Sequence, residues 1–254
     1  MPKKKPDIKS STVQGIFAGV ITVHNLPQDV YYMNAQKLMS GVHKGWKGSV
    51  QLAYNSPNWK LYESISDNIF LFSGAKTFKQ TLDMSEALLD EDGKLVPFDK
   101  FKEVAGEIFS TFNEDYLESE YYTALDGARE ADKWLDYKKN GVEYLRFLTS
   151  NDETVCEICG GYDDTVLPIT DSFWDVNYPP LHFRCNCTTQ PEYDAEEETE
   201  RPEQSDVSPG FRNNIAKTGV IFNKHNGYFQ IPAKYKDLAR NNFGLPLPAH
   251  TLSK

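Results

Sequence analysis

Cys156-Glu-Ile-Cys159 and His182-Phe-Arg-Cys185-Asn-Cys187 hold all four cysteines of the chain and one of its five histidines. Two thiols separated by two residues form a knuckle that grips one side of a tetrahedral ion. A second ligand pair, brought back by the intervening loop, closes the other side. Thiolate and imidazole are the borderline-soft donors that zinc prefers, and nothing in the pattern calls for redox chemistry. Cys156 and Cys159 are the firmest ligands; His182 with either Cys185 or Cys187 completes the shell, and spacing does not choose between the last two. A shell filled by protein leaves no position for water, so the expected ion is a structural Zn2+. Such a site contributes on the order of 10–16 kcal/mol of apparent free energy, enough to hold a loop with little core of its own.

Other uses of the same residues are weaker. Two disulfides would consume the four cysteines, but Met1–Ser10 carry no apolar leader pattern and a reducing cytosol disfavours them. A catalytic thiol paired with His182 would sit among three others competing for metal. A hydrolytic zinc site wants HExxH on a helix, or the deaminase pairing of HxE with PCxxC, and neither string is present.

With 254 residues the chain buries one substantial core plus appendages, and 15 Phe with 14 Tyr make it a folded protein. A net charge of −10 argues against a nucleic-acid groove, which needs clustered Lys and Arg. Much of that charge lies between Glu192 and Glu203, which reads as a solvated linker. No apolar run is long enough to span a bilayer, so no membrane partner is expected.

Outward from the cysteines, Val142 to Leu148 reads as a strand leading into the loop, and Thr165 to Leu167 as a second that pairs with it or with the stretch near Thr188. Upstream, Glu114 to Lys139 predicts a long helix with its stripe at Leu117, Tyr121, Ala124, Leu125, Ala128, Ala131 and Leu135, stopped by Gly141. Phe101, Val104, Ala105, Ile108, Phe109 and Phe112 predict another. Helical segments are expected from Tyr62 to Leu89, with Ile65, Ile69, Phe72, Phe78 and Leu82 inward, then a turn at Asp90-Glu91-Asp92-Gly93. A further helix starts near Leu26-Pro27-Gln28-Asp29 and stops at Gly41. Residues 1–20 read as poorly ordered or strand-like, and residues 44–58 as an irregular connection. Near the end, Val220-Ile221-Phe222 and Tyr228-Phe229-Gln230-Ile231 suggest a short hairpin. The fold class is α+β: a mainly helical body with a long central helix and a small β-containing lobe stapled by zinc.

With the helix, strand and loop in order, the chain resembles the phage Mu F-like head morphogenesis family of minor head proteins. The resemblance rests on Glu120-Tyr-Tyr-Thr-Ala124 and Ala128, on Leu148-Thr149-Ser150, and on Asp152 before the Cys156/Cys159 knuckle. It continues through Val166-Leu167-Pro168, Asp171-Ser-Phe-Trp174 and Pro179-Pro180-Leu181-His182 with the two close cysteines. Two features depart from the family pattern. Arg184 precedes Cys185 and Asn186 lies between the pair, where members commonly have the two in the opposite order. Asp164 stands where members tend to have Gly.

The resemblance implies a domain over 61–191 with its zinc loop at 150–190. An arm and first helix precede it over 1–60, an acidic linker follows over 192–206, and a loop-rich extension covers 207–254. It also implies a low-copy component of the phage head, assembled in the bacterial cytoplasm, with the portal protein or the major capsid protein as partner and a share in head morphogenesis and DNA delivery. No enzymatic reaction follows. Some relatives carry fused toxin or transferase domains, for which the stretch after the zinc loop is too short and loop-rich. Trp174 and Tyr178 are expected as exposed aromatics that contact a partner, although for Trp174 a place capping the lobe's small core is favoured. The enzymatic alternative is a nuclease of the HNH type, in which a zinc knuckle supports catalysis by His182 and Asp163. A zinc-ribbon adaptor for nucleic acid fails on charge.

Overall fold

The computed structural model describes residues 7–47, 56–150, 155–193, 199–202 and 207–249. In chain order the main elements are α1 (Ile8–Phe17), α2 (Gln28–Gly45), α3 (Pro57–Glu86), α4 (Phe98–Ser110), a π-helical segment (Thr111–Tyr116), α5 (Leu117–Lys139) and β1 (Tyr144–Leu148). There follow α6 (Glu157–Gly160), β2 (Val166–Pro168), α7 (Phe173–Val176), β3 (Thr188–Glu192), α8 (Ile215–Thr218) and α9 (Lys236–Arg240). The fold is α+β, mostly helical with a small three-stranded sheet. The chain divides into two compact units.

The first unit takes the described residues of Met1–Lys37, Phe70–Glu118 and Gly227–Ala249. Its opening corrects the expectation of disorder or strand, because residues 8–17 are helical. Asp7 caps α1 by accepting the Ser10 N–H at 2.8 Å. Val13 and Ile16 then join Val30, Met84, Phe101, Ala105 and Phe109 in one cluster, so packing overrides a Ser/Thr-rich sequence of indifferent helix propensity. Phe101, Ala105 and Phe109 face inward as expected, but Val104 is 45% exposed: it lies one position off the stripe. No turn separates α4 from α5, which the π-helical segment joins. The Asp90–Gly93 turn is present, closed by the Gly93 N–H on the Asp90 carbonyl at 2.9 Å, with Gly93 at φ +74°. A second cluster sets Leu26, Tyr31, Ala75, Phe78 and Leu82 against Phe243 and Leu245, with Phe78 and Phe243 stacked at 4.6 Å.

The second unit takes the described residues of Leu38–Ile69 and Ser119–Asn226. Gly41 does not stop α2, which continues to Gly45. A Cβ at Gly41 would lie 2.8 Å from the Tyr121 carbonyl oxygen, and one at Gly45 only 2.0 Å from that of Leu125. These glycines serve close approach of α2 to α5 rather than termination. The expected strand pair at the far end is also absent. Asn68 of α3 takes the Ile221 and Phe222 N–H groups on its Oδ1 at 2.8 and 2.9 Å and donates to the Phe222 carbonyl, so a side chain satisfies backbone groups that a ladder would need. Gly227–Phe229, which belongs to the first unit, forms a 3-10 turn.

α5 ends where Gly141 adopts φ +68°, and the Val142 N–H bonds the Tyr137 carbonyl. The chain then enters β1, the middle strand of a sheet ordered β2-β1-β3, antiparallel on both sides. Leu145 and Phe147 point into the core while Arg146 points out to Asp164 and Glu192, at 3.0 and 2.7 Å. The second of the two expected pairings for Val166–Pro168 is thereby excluded: it pairs with β1, not with β3.

One buried network seats β3 on α5. Glu130, 1% exposed, accepts from the Thr188 and Thr189 hydroxyls and pairs with Lys133 at 3.0 Å. Tyr137 donates to the Thr189 carbonyl, and Tyr178 to that of Glu130. Trp174 and Tyr178 are buried, so neither is an exposed contact residue; they belong to the lobe's core with Trp134, Phe147, Tyr162 and Phe173. Among the described residues no helix is long and apolar enough to cross a membrane.

Candidate metal centre

The knuckle is built from one helical turn. Cys156 sits at the N-cap of α6 in extended conformation, and its Sγ accepts the Cys159 N–H at 3.4 Å. That turn brings the second thiol back beside the first. The chain then reverses at Asp164, φ +58°, whose N–H bonds the Phe147 carbonyl at the end of β1. The second half-site enters from the Pro179–Pro180 segment, whose peptide bond is cis. Arg184, also at φ +58°, turns the chain into the extended stretch that becomes β3. In that stretch Cys185 and Cys187 are buried and Asn186 is exposed, so the two thiols share a face.

All five expected ligands meet. His182 Nε2 lies 3.4 Å from Cys156 Sγ and 3.3 Å from Cys159 Sγ, and the Sγ atoms of Cys159 and Cys185 are 3.9 Å apart. The donor atoms form two triads that share Cys159: Cys156, Cys159 and His182 in one, Cys159, Cys185 and Cys187 in the other. Within each triad the atoms lie within 4.8 Å of one another. Zinc bonds of about 2.3 Å to sulfur and 2.0–2.1 Å to nitrogen imply tetrahedral edges of about 3.8 Å between sulfurs and about 3.6 Å between sulfur and nitrogen. The observed separations match those edges. All four thiols are free, so neither disulfide forms.

Hydrogen bonding orients the imidazole. Nδ1 lies 2.8 Å from the Phe183 carbonyl, which only accepts, so Nδ1 carries a proton and Nε2 is the nitrogen that faces the thiols. Crowding decides the charges. Hydrogen bonds from Cys159 and Cys187, with His182 beside them, hold the Cys185 thiol far below its ordinary range against its own burial. The same contacts and burial push Cys159 far above it. Cys187 is drawn down by Cys159 but raised overall by Cys185 and by burial. Burial opposes ionisation of Cys156, yet the Cys159 N–H and His182 leave it lowered. The hydrogen bond with Cys185 raises His182 to about 9 against its burial. Neighbouring thiols thus compete for negative charge, a conflict that a divalent cation relieves.

Of the residues named for catalysis, His182 spends one ring nitrogen on a carbonyl and turns the other to two thiols. Asp163 accepts the Thr149 N–H at 2.8 Å. Asp152 lies outside the described residues. Sequence reasoning missed Glu130, because a lone acid among the charges of α5 has no local signal of burial.

The molecule is an α+β protein whose small sheet lobe carries a closed cluster of thiols and one imidazole, donors suited to a structural metal. Residues 107–190, which hold most of that architecture, match the family model described as Phage Mu protein F like protein. The resemblance read from the sequence is thereby borne out over this segment. Comparison with curated proteins and with solved structures finds no match.

Proposed function

We propose that the protein is a low-copy structural component of a phage head, docking on the portal or the capsid interior, with zinc fastening its sheet lobe. The observation that carries this reading is the coincidence of the family match with the complete thiol cluster, the sheet and α5. Cys156, Cys159, His182 and a fourth thiol from Cys185 or Cys187 hold Zn2+, which supplies the positive charge that lets crowded thiols ionise together. No enzymatic step is assigned: the shell is filled by protein and leaves no position for substrate or water. The protein acts in head morphogenesis and DNA delivery, with the virion as its destination.

The test is co-expression with a portal protein encoded beside it, followed by native mass spectrometry. A discrete complex of low copy number, with one zinc per chain, is expected. A zinc-loaded protein that joins neither portal nor capsid protein defeats the assembly role and leaves the metal site standing.

A further inference from the structure

The cluster offers five donor groups where a tetrahedral ion takes four. Cys185 and Cys187 stand two residues apart on an extended chain, share one face, and are 1% and 5% exposed. Both belong to the triad around Cys159, and Cys185 Sγ lies 3.9 Å from Cys159 Sγ, a tetrahedral edge. Cys159 stands in both triads, so it joins this pair of thiols to the half-site of Cys156 and His182. Nothing in the backbone dedicates one of them, because the alternation that buries the first buries the second.

We propose that the fourth zinc position is shared: either Cys185 or Cys187 completes the shell formed by Cys156, Cys159 and His182, and the thiol left over remains beside Cys159 as a reserve ligand. This rests on the zinc reading above. Asn186 is exposed between them and β3 begins only at Thr188, so a small shift of this stretch exchanges one sulfur for the other without breaking the strand.

The experiment compares the intact chain with Cys185→Ser, Cys187→Ser, the double variant and Cys156→Ser, each loaded with zinc alone and then with cobalt(II) as a spectroscopic probe. Both single variants are expected to keep one zinc per chain and the cobalt charge-transfer intensity of three thiolates. The double variant should fall to two thiolates and lose at least tenfold in zinc affinity. Loss of zinc from one single variant, at the level of Cys156→Ser, makes that residue the dedicated ligand and overturns the proposal. A single variant that no longer folds, as serine or as alanine, counts the same way, since the surviving thiol has then failed to serve. Indifference of Cys156→Ser, with zinc still bound, makes Cys185 and Cys187 joint ligands and also overturns the proposal, whereas failure of the intact chain to bind zinc sinks the zinc reading itself.

Discussion

Asp164 and Arg184 hold φ values of +58°, a left-handed conformation that glycine adopts freely, asparagine tolerates and other side chains resist. These are the two positions at which the chain departs from the pattern that the resemblance rests on. Where members tend to have Gly, Asp164 takes the same backbone and sets its carboxylate 3.0 Å from Arg146. Where members commonly have Asn before the first cysteine, Arg184 occupies the left-handed position, and its Nε donates to the Ser119 hydroxyl at 2.9 Å. Arg184→Asn should therefore gain roughly 0.5–1 kcal/mol, the relief of backbone strain less one exposed hydrogen bond. Urea unfolding in zinc-saturated buffer measures it; a loss of stability would show that the contact to Ser119 outweighs the strain. At this scale the site was legible, because ligand type and spacing are local properties. The left-handed turns were visible only as exceptions to a pattern.

Among the elements, the α2–α5 contact shows where local reading fails. A glycine near the end of an apolar stripe looks like a stop, and only the partner helix reveals that its missing side chain is the point. Gly45→Ala should cost about 3 kcal/mol or more, because the added Cβ meets the backbone of Leu125 rather than a side chain able to move. Gly106→Ala in α4 is the opposite case: its Cβ would meet only the end of Lys9 at 3.5 Å. It should gain about 0.5–1 kcal/mol through helix propensity. Thermal melts of the pair check both, and equal effects would refute the close-approach account. Periodicity revealed α4 and α5 well because their apolar stripes are strong, whereas α1 shows no such stripe and is recognised through tertiary packing. The Val220–Phe222 stretch was misread for a related reason: its backbone partner is an asparagine far away in the chain.

For the molecule as a whole, two sets of cores imply two responses to metal removal. The first unit packs through Val13, Ile16, Phe101 and Phe109, and the lobe depends on a cluster that includes three of the thiols. Chelation should strip hydrogen-exchange protection from β1, β2 and β3 while α1 and α4 keep theirs. Uniform loss, or none, would contradict a staple confined to the lobe. The division into units was not legible in the sequence, since α2 and α3 each run from one unit into the other and no composition shift marks the passage.

The register of the sheet has a mechanical consequence. Tyr144 opens β1 opposite Glu192, the last residue of β3, and Leu148 closes β1 opposite Thr188, directly after Cys187. Tension that draws α5 away from the acidic run therefore loads the ladder at one end and opens it rung by rung, the weakest way to hold two strands. The unzipping travels toward the cysteines. With an ion bound there, the load reaches metal–sulfur bonds after the last rung, and everything threaded between the two half-sites, β2 and α7 included, stays outside the path of the force.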